Sequence, residues 1–468
     1  MNKRTCDILI HNGQIITMDP DRRIYSPGAV AISGSRIVEV GTDTEVRQNF
    51  DAREMIDASG AIVHPGLIDA HNHIVHTSCR GIFGSYHDTE ALPINFADWK
   101  ASVTDADEAA ATTMAGIEML RNGFTMFIEP GSLFSTEAAA EAVERVGMRA
   151  LFSPLYLWDR GESFEAIPTL ASPSLMARAT IDHDRCIKEL DAELYRNRNA
   201  DALVRGYIFV YGEGTASPEL LRTAHACARE NDVPLHIHAG YLPEGADLYR
   251  TLTGKRHLVH LQELGFLDEN TVVVHASALD ADEETAVHKT GCKIVWCPIA
   301  FFSLGITFDI TFKMAERYRR GVCVSLGTDG ARDCTPGETM LTAHQVAQSY
   351  ADPVSPGSLL EMQTLNAAAA AGLQAELGSL ELGKRADIVV RSARSSEAYP
   401  DNNPVHALAL RLRAGSVDTV LVNGEVVFSG GHSTRVDELD AYKTVSDSVL
   451  ARAKRLGIEL NPEWQIVN

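Results

Sequence analysis

Between about residue 65 and residue 375, short apolar runs alternate with helical stretches, and this rhythm constrains the fold more than any other property of the chain. The runs are Phe124–Ile128, Ala150–Leu155, Tyr207–Tyr211, Leu235–Ala239, Val272–His275, Ile294–Cys297 and Val322–Leu326. Thr104–Arg121, Ser135–Val146 and Pro218–Asn231 are among the Ala- and Glu-rich helical stretches between them. Strands that read as nearly continuous apolar runs are buried on both faces, as in a parallel sheet covered by helices. With the run that ends at His71 there are eight such strands, which fits an α/β chain closed into a (β/α)8 TIM barrel. An open doubly wound sheet is the alternative. Its nucleotide-binding form is disfavoured, because no GxGxxG follows the first strand.

The two ends have another texture. Cys6–Ile10, Ile15–Met18, Ala29–Ile32 and Arg36–Gly41 read as short strands, punctuated by Asn12-Gly13, Pro27-Gly28 and Ser33-Gly34. Ala386–Arg391, Val417–Val422 and Val426–Phe428 repeat the pattern, with Asn423-Gly424 expected as a type I′ hairpin turn. Leu439–Leu456 carries apolar residues at helical spacing. The expected organisation is a β-rich segment 1–64, a barrel 65–375, a second β-rich segment 376–435, and a helix with tail over 436–468.

Charge and cysteine content narrow the class. Asp and Glu outnumber Lys and Arg by 63 to 42, a net charge of −21. That field repels phosphate, so neither nucleic acid nor an anionic membrane is an expected partner. Eight cysteines stand apart with no CxxC pair, which suits reduced thiols in the cytoplasm. No run is apolar enough for a signal peptide or a membrane span.

In a barrel of this kind chemistry sits at the C-terminal ends of the strands. His71 and His73 are two residues apart after the first strand and share a face. Imidazole nitrogens so placed can clasp one cation. His236 and His238 repeat the spacing on the fifth strand, His275 ends the sixth, and Asp329 follows the eighth. Each alone reads equally well as a buried, hydrogen-bonded side chain. Together they converge on one barrel mouth and point to a metal site. Cys297, before Pro298, reads better as a small buried residue than as a ligand.

The segments PGLIDAHNH, HIH, VVVHASAL, GTDG and the late GSLELGKRADIVV stand in one order along nearly the whole chain. In this the chain resembles the amidohydrolase superfamily, in its cytosine deaminase and triazine hydrolase branch. The resemblance implies that the two β-rich ends build a composite β-sandwich beside the barrel. It implies His71, His73, His238 and Asp329 as metal ligands, with His275 at the metal or beside it. It also implies a homo-oligomer, a dimer or larger. Dinuclear members use a carboxylated lysine on strand four, and Val204–Gly212 contains none. One divalent metal per chain is therefore expected, zinc first, with iron, cobalt or manganese as alternatives. Such a cation lowers the pKa of water toward ~7. Asp329 would take the proton, and His275 would stabilise the charge that develops.

Three substrate-facing positions depart from the family pattern. The family glutamine of HxHxxQ is His76, the glutamate three residues beyond the fifth-strand ligand is Tyr241, and the SN after CPx is Ala300-Phe301. With Phe302 and Trp158 these changes suggest a more aromatic pocket. The expected activity is hydrolysis of a non-peptide C–N bond of a small molecule: an N-substituted urea, carbamate, amide or triazine. The alternatives are a heterocycle aminohydrolase using a relocated acid such as Glu244, a dechlorinase or thiocarbamate hydrolase, and a catalytically dead scaffold.

Overall fold

A computed structural model of the chain describes residues 3–83, 94–162, 164, 172–303, 313–330, 334–392, 394–460 and 464, with backbone alone at 301–303. The first strands are β1 (Arg4–Ile16), β2 (Ile24–Ser33), β3 (Arg36–Thr42), β4 (Phe50–Asp57) and β5 (Ile62–Pro65). The next nine are β6 (Leu67–Asp69), β7 (Phe124–Ile128), β8 (Arg149–Phe152), β9 (Val204–Gly206), β10 (Ile208–Gly212), β11 (Leu235–Ala239), β12 (Thr271–His275), β13 (Lys293–Trp296) and β14 (Val324–Leu326). The last four are β15 (Ile388–Arg391), β16 (Val417–Val422), β17 (Glu425–Ser429) and β18 (His432–Ser433).

The middle strands form two parallel runs, β6-β7-β8-β9 and β10-β11-β12-β13-β14. Two junctions join them. At the first, β9 and β10 are one strand interrupted at Tyr207, whose N–H donates to Phe152 O at 3.0 Å. At the second, Ala70 N donates to Leu326 O at 3.0 Å and Asp329 N to His71 O at 2.8 Å. The fold is the expected (β/α)8 barrel, and its fourth strand, β9 continued by β10, covers the span Val204–Gly212 read for it in the sequence.

Alternation along the strands sorts the core. Ile68, Met126, Ile128, Leu151, Phe209, Val272, Val274 and Val295 pack together inside the barrel. Their neighbours Leu67, Phe127, Ala150, Ile208, Val273, Ile294 and Val324 belong to the layer under the helices. The period of two is that of side chains on a pleated strand, and both sets are apolar because both faces are covered.

The end segments build one nine-stranded sheet in the order β18-β17-β16-β15-β5-β1-β2-β3, with β4 also on β1. β1 spans what the sequence suggested as two strands. Its first half pairs with β4 and its second half with β5, while β2 runs antiparallel to both. Asn12-Gly13 marks a register irregularity within β1 rather than a turn. Ile10, Ile15, Val30, Ile32, Val63, Ile388, Val390 and Leu421 make the enclosed core of this layer. The turn Asn423-Gly424 has φ of 55° and 81°, the left-handed pair that a type I′ hairpin requires.

The helix Asp105–Arg121 starts in a capping box between Thr104 and Asp107. Against it lies the C-terminal helix Glu438–Leu456, from which Ser448 and Arg455 both reach Asp107. Leu439, expected on the buried stripe, is 79% exposed, whereas Val445 and Ala453 are buried. Among the described residues no helix is long and apolar enough to cross a membrane.

Candidate metal centre and active site

Histidines from three strand ends meet at the mouth of the barrel. His71 Nε2 lies 3.2 Å from His238 Nε2 and 3.7 Å from Asp329 Oδ1. His73 Nε2 lies 3.4 Å from the same Asp329 oxygen. His275 joins His71 and His238 in a set whose ligand atoms all fall within 4.8 Å of one another.

The tautomers suit this cluster to holding a cation. His238 Nδ1 lies 2.9 Å from Tyr211 O, which can only accept, so Nδ1 carries the hydrogen and Nε2 offers a bare lone pair. His73 Nδ1 lies 3.0 Å from Ser132 Oγ, and Ser132 spends its own hydrogen on Glu129. His73 Nε2 is therefore bare as well. Burial holds His71 down to about 3, and His73, His238 and His275 lie well below the usual histidine range for the same reason. Neutral imidazoles are the form that binds metal. A tetrahedral cation with bonds of about 2.0–2.1 Å spaces its ligands by roughly 3.3 Å, close to the 3.2 Å and 3.4 Å separations here.

The backbone accepts strain to present two of these groups. His275 has φ of 78° and Asp329 has φ of 60°, in the left-handed region that non-glycine residues avoid. Close packing assists at Gly327, where a Cβ would come 3.0 Å from His71.

A shell of buried polar groups fixes the cluster. Asp69 accepts from His71 N at 3.3 Å, Asn72 Nδ2 at 2.9 Å, Thr328 N at 3.0 Å and Thr328 Oγ1 at 2.6 Å. It thereby ties the end of the first strand to the end of the eighth, and burial pushes its carboxyl up to about 6. Glu129, one residue beyond β7, receives Ser132 N at 3.1 Å on both oxygens and is pushed by burial up to about 7. Neither carboxylate was assigned a role from sequence. The available signal was an acidic residue at the end of an otherwise apolar strand.

Other expected residues fall as follows. His236 points into the barrel below the cluster, with Nε2 at 2.8 Å from Ala370 O, and takes no part in it. The His76 ring stacks on His73 at 4.8 Å and meets Phe96 edge-on at 5.1 Å. The Tyr241 ring stacks on His275 at 4.1 Å. Trp158 is buried behind the mouth, stacked on Tyr156 at 4.4 Å, and packs the wall rather than lining the pocket. The side chains of Phe301 and Phe302 lie outside the described residues. Cys297 is buried and belongs to no ligand group among the described residues.

Glu244 does not take the place of the missing glutamate. It is exposed in the first turn of the helix Pro243–Thr253. The carboxylate beside Tyr241 is Glu213, just past β10, which accepts Tyr241 N–H at 3.0 Å. Burial pushes it up to about 7.

The amidohydrolase family model matches residues 62–427. The chain belongs to the amidohydrolase family. This amidohydrolase is 30% identical over 433 residues to a 5-methylthioadenosine/S-adenosylhomocysteine deaminase of Syntrophobacter fumaroxidans, covering 91% of this chain and 94% of that one. It is 27% identical over 458 residues to a 5'-deoxyadenosine deaminase of Methanosarcina acetivorans, covering 96% and 99%. Two solved structures share the fold. A zinc-bound adenosine deaminase from Xanthomonas campestris aligns with a TM-score of 0.82 at 23% identity, over 97% of this chain and 100% of that one. A zinc complex of atrazine chlorohydrolase from Arthrobacter aurescens aligns with a TM-score of 0.82 at 21% identity, over 94% and 100%. The family makes the protein a hydrolase of C–N bonds other than peptide bonds. Within that class the relatives favour amine release from a heterocycle over the urea, carbamate or amide cleavage expected from the aromatic substitutions.

Proposed function

We propose that this amidohydrolase releases ammonia from an amino-substituted heterocycle of the purine-nucleoside kind. The supporting observation is the convergence of bare imidazole nitrogens on Asp329, at spacings that suit one cation, in a chain whose curated relatives are adenosine-type deaminases. His71, His73, His238 and Asp329 would hold the cation, with His275 beside it. A divalent cation there would supply Lewis acidity and a water acidic enough to react at neutral pH.

The chain's own groups do the rest. Asp329 is 13% exposed at its side chain and sets Oδ1 beside His71 and His73, and its carboxylate can accept the proton of the attacking water. His275 can donate to the oxygen that becomes the product carbonyl. Amine loss also needs a proton on the ring nitrogen. Tyr241 is a poor source at neutral pH, because a phenol ordinarily titrates near ~10. Glu213, adjacent to Tyr241 and raised to about 7, has the protonation range of a general acid at that pH. Tyr241, stacked on His275, forms an aromatic wall for a planar ring.

The test is a screen of adenosine, 5'-deoxyadenosine, methylthioadenosine, guanine and aminotriazines against ureas, carbamates and amides, reading released ammonia or amine after loading with zinc. Ammonia from an aminoheterocycle is the expected result. Turnover confined to ureas, carbamates or amides would restore the first reading. Elemental analysis should give about one metal per chain, and two tightly held equivalents would refute a mononuclear centre.

A further inference from the structure

Two arginines from neighbouring elements hold the turn that carries His275. His275 and Ala276 both lie in the left-handed region, with φ of 78° and 50°. Non-glycine residues in that region persist only where their surroundings over-determine them. The end of β11 meets the N–H groups of the turn. Ala276 N donates to Ala239 O at 3.0 Å, and Ser277 N and Ala278 N donate to Gly240 O at 2.7 Å and 2.9 Å. These bonds tie the turn to the residues that follow His238.

The arginines take two of its carbonyls. Arg317 sits on the helix Met314–Arg319, just before β14, and its Nη1 donates to Ala276 O at 2.5 Å. Its Nε lies 3.1 Å from each oxygen of Glu284, and its Nη2 also donates to that carboxylate. Glu284 belongs to the helix Ala281–Thr290, which follows the turn. Asp352 accepts Ala315 N–H at 2.8 Å and so fixes the start of the helix that carries Arg317. The residue before Glu284 repeats the device. Glu283 accepts Arg256 Nε at 2.9 Å, and Arg256 Nη2 donates to Ala278 O at 2.8 Å. The Arg256 side chain is 18% exposed and that of Arg317 only 2%, so the bond next to His275 is the better shielded from water. A buried ion pair gains little net stability over apolar residues of the same volume. What this one supplies is direction, because a planar fork fixed by Glu284 aims one N–H at Ala276 O.

We propose that Arg317, oriented by Glu284, is a positioning residue for His275, holding Ala276 in the left-handed conformation from which His275 reaches the centre. Displacing a reacting group by about 1 Å can lower a rate about a hundredfold, so the turn must be held as firmly as the strand before it. The assignment rests on His275 acting at that centre and does not depend on which amine is released.

The experiment compares the zinc-loaded wild type with Arg317→Lys and with the double variant Arg317→Met/Glu284→Leu. The double variant removes both charges together, an exchange that buried pairs often tolerate. Arg317→Lys keeps the charge and a donor for Ala276 O, and serves alone should the double variant fail to fold. Hydrogen-exchange mass spectrometry reads the amides of residues 276–278, and kcat and KM are measured on the best substrate of the wild type. In the double variant those amides should exchange faster by about tenfold or more, the scale of a lost charge-assisted hydrogen bond, while the amides of β7 keep the wild-type rate. The same variant should lose about tenfold or more in kcat with KM changed by less than about threefold. Arg317→Lys should fall between it and the wild type in both measurements. Unchanged exchange at residues 276–278 overturns the proposal, and so does faster exchange with kcat within about twofold of wild type. Equal acceleration in β7 would reveal a general loss of stability and overturn it too. A wild type that acts only on ureas, carbamates or amides would remove the deaminase reading and leave the Arg317 comparison to be made on those substrates.

Discussion

Ser132 shows how much of the centre lies one bond away from the ligands. Its oxygen fixes the His73 ring at 3.0 Å, and its own hydrogen goes to Glu129. Groups that orient a ligand histidine in this way typically contribute ten- to hundredfold to metal affinity. Ser132→Ala is therefore expected to weaken zinc binding by about that factor in a chelator competition, with the fold intact. Unchanged affinity would mean that packing alone holds His73. Glu213 carries a sharper prediction. Glu213→Gln keeps the acceptor for Tyr241 N–H but cannot deliver a proton, so turnover should fall by about two or more orders of magnitude with metal content unchanged. Glu244→Gln, at an exposed position, should leave turnover near wild type. The reverse ranking would move the proton relay to Glu244. The five residues of the cluster were legible because they end apolar strands. Glu213 was not, because it follows Tyr211-Gly212 beyond the strand and enters the site only when Gly212, with φ of 82°, turns the chain.

At the scale of elements, the sequence exposed what local physics controls and hid what pairing partners decide. β7 and β11 fall on the residues their apolar runs indicate, and the helix before β7 begins where Thr104 caps it. β4 escaped notice because Phe50–Asp57 is mostly exposed and charged, and it is a strand only through its parallel pairing with β1. A titration argument also belongs to one element. His257 begins the helix His257–Glu263, is 3% exposed, and stacks on Tyr249 at 4.1 Å. Burial, and then the charges of His260 and Arg256, hold it down to about 3. The unfolded chain binds a proton there below about 6.5, while the folded protein does not. The contribution is thus complete above that pH and is lost as pH falls toward 3. His257→Phe removes this dependence. Relative to wild type, the variant should gain about 1.4 kcal/mol between pH 7.5 and pH 5.5 in urea unfolding, one unit of differential protonation. A difference that does not change with pH would mean His257 is protonated in the folded state.

The whole molecule depends on a junction that no single segment announces. The sheet built from the two chain ends meets the barrel at Arg149 of β8, whose guanidinium grips Asp387 at 2.8 Å and 3.1 Å. Both side chains are about 95% buried, exposed by only 5% and 4%. Asp387 also receives Asn423 N at 2.8 Å from the β16–β17 turn, and its carbonyl accepts Gly66 N at 2.9 Å just before β6. One residue thus connects the late sheet strands, the entry to the barrel and a barrel strand. Asp387→Ala leaves Arg149 buried with Asn423 Oδ1 as its remaining side-chain partner among the described residues. Breaking one side of a buried pair in this way costs about 3–5 kcal/mol, because the other charge is left uncompensated. The expected outcome in chemical denaturation is a loss of that size across a single transition, since sheet and barrel share the pair. The double variant Arg149→Met/Asp387→Leu should recover part of it, because apolar replacement removes the stranded charge while the Asn423 N–H still lacks its acceptor. A loss below about 1 kcal/mol in Asp387→Ala would show that solvent or Asn423 compensates the arginine. Two separated transitions would show that sheet and barrel unfold independently and that the junction does not couple them.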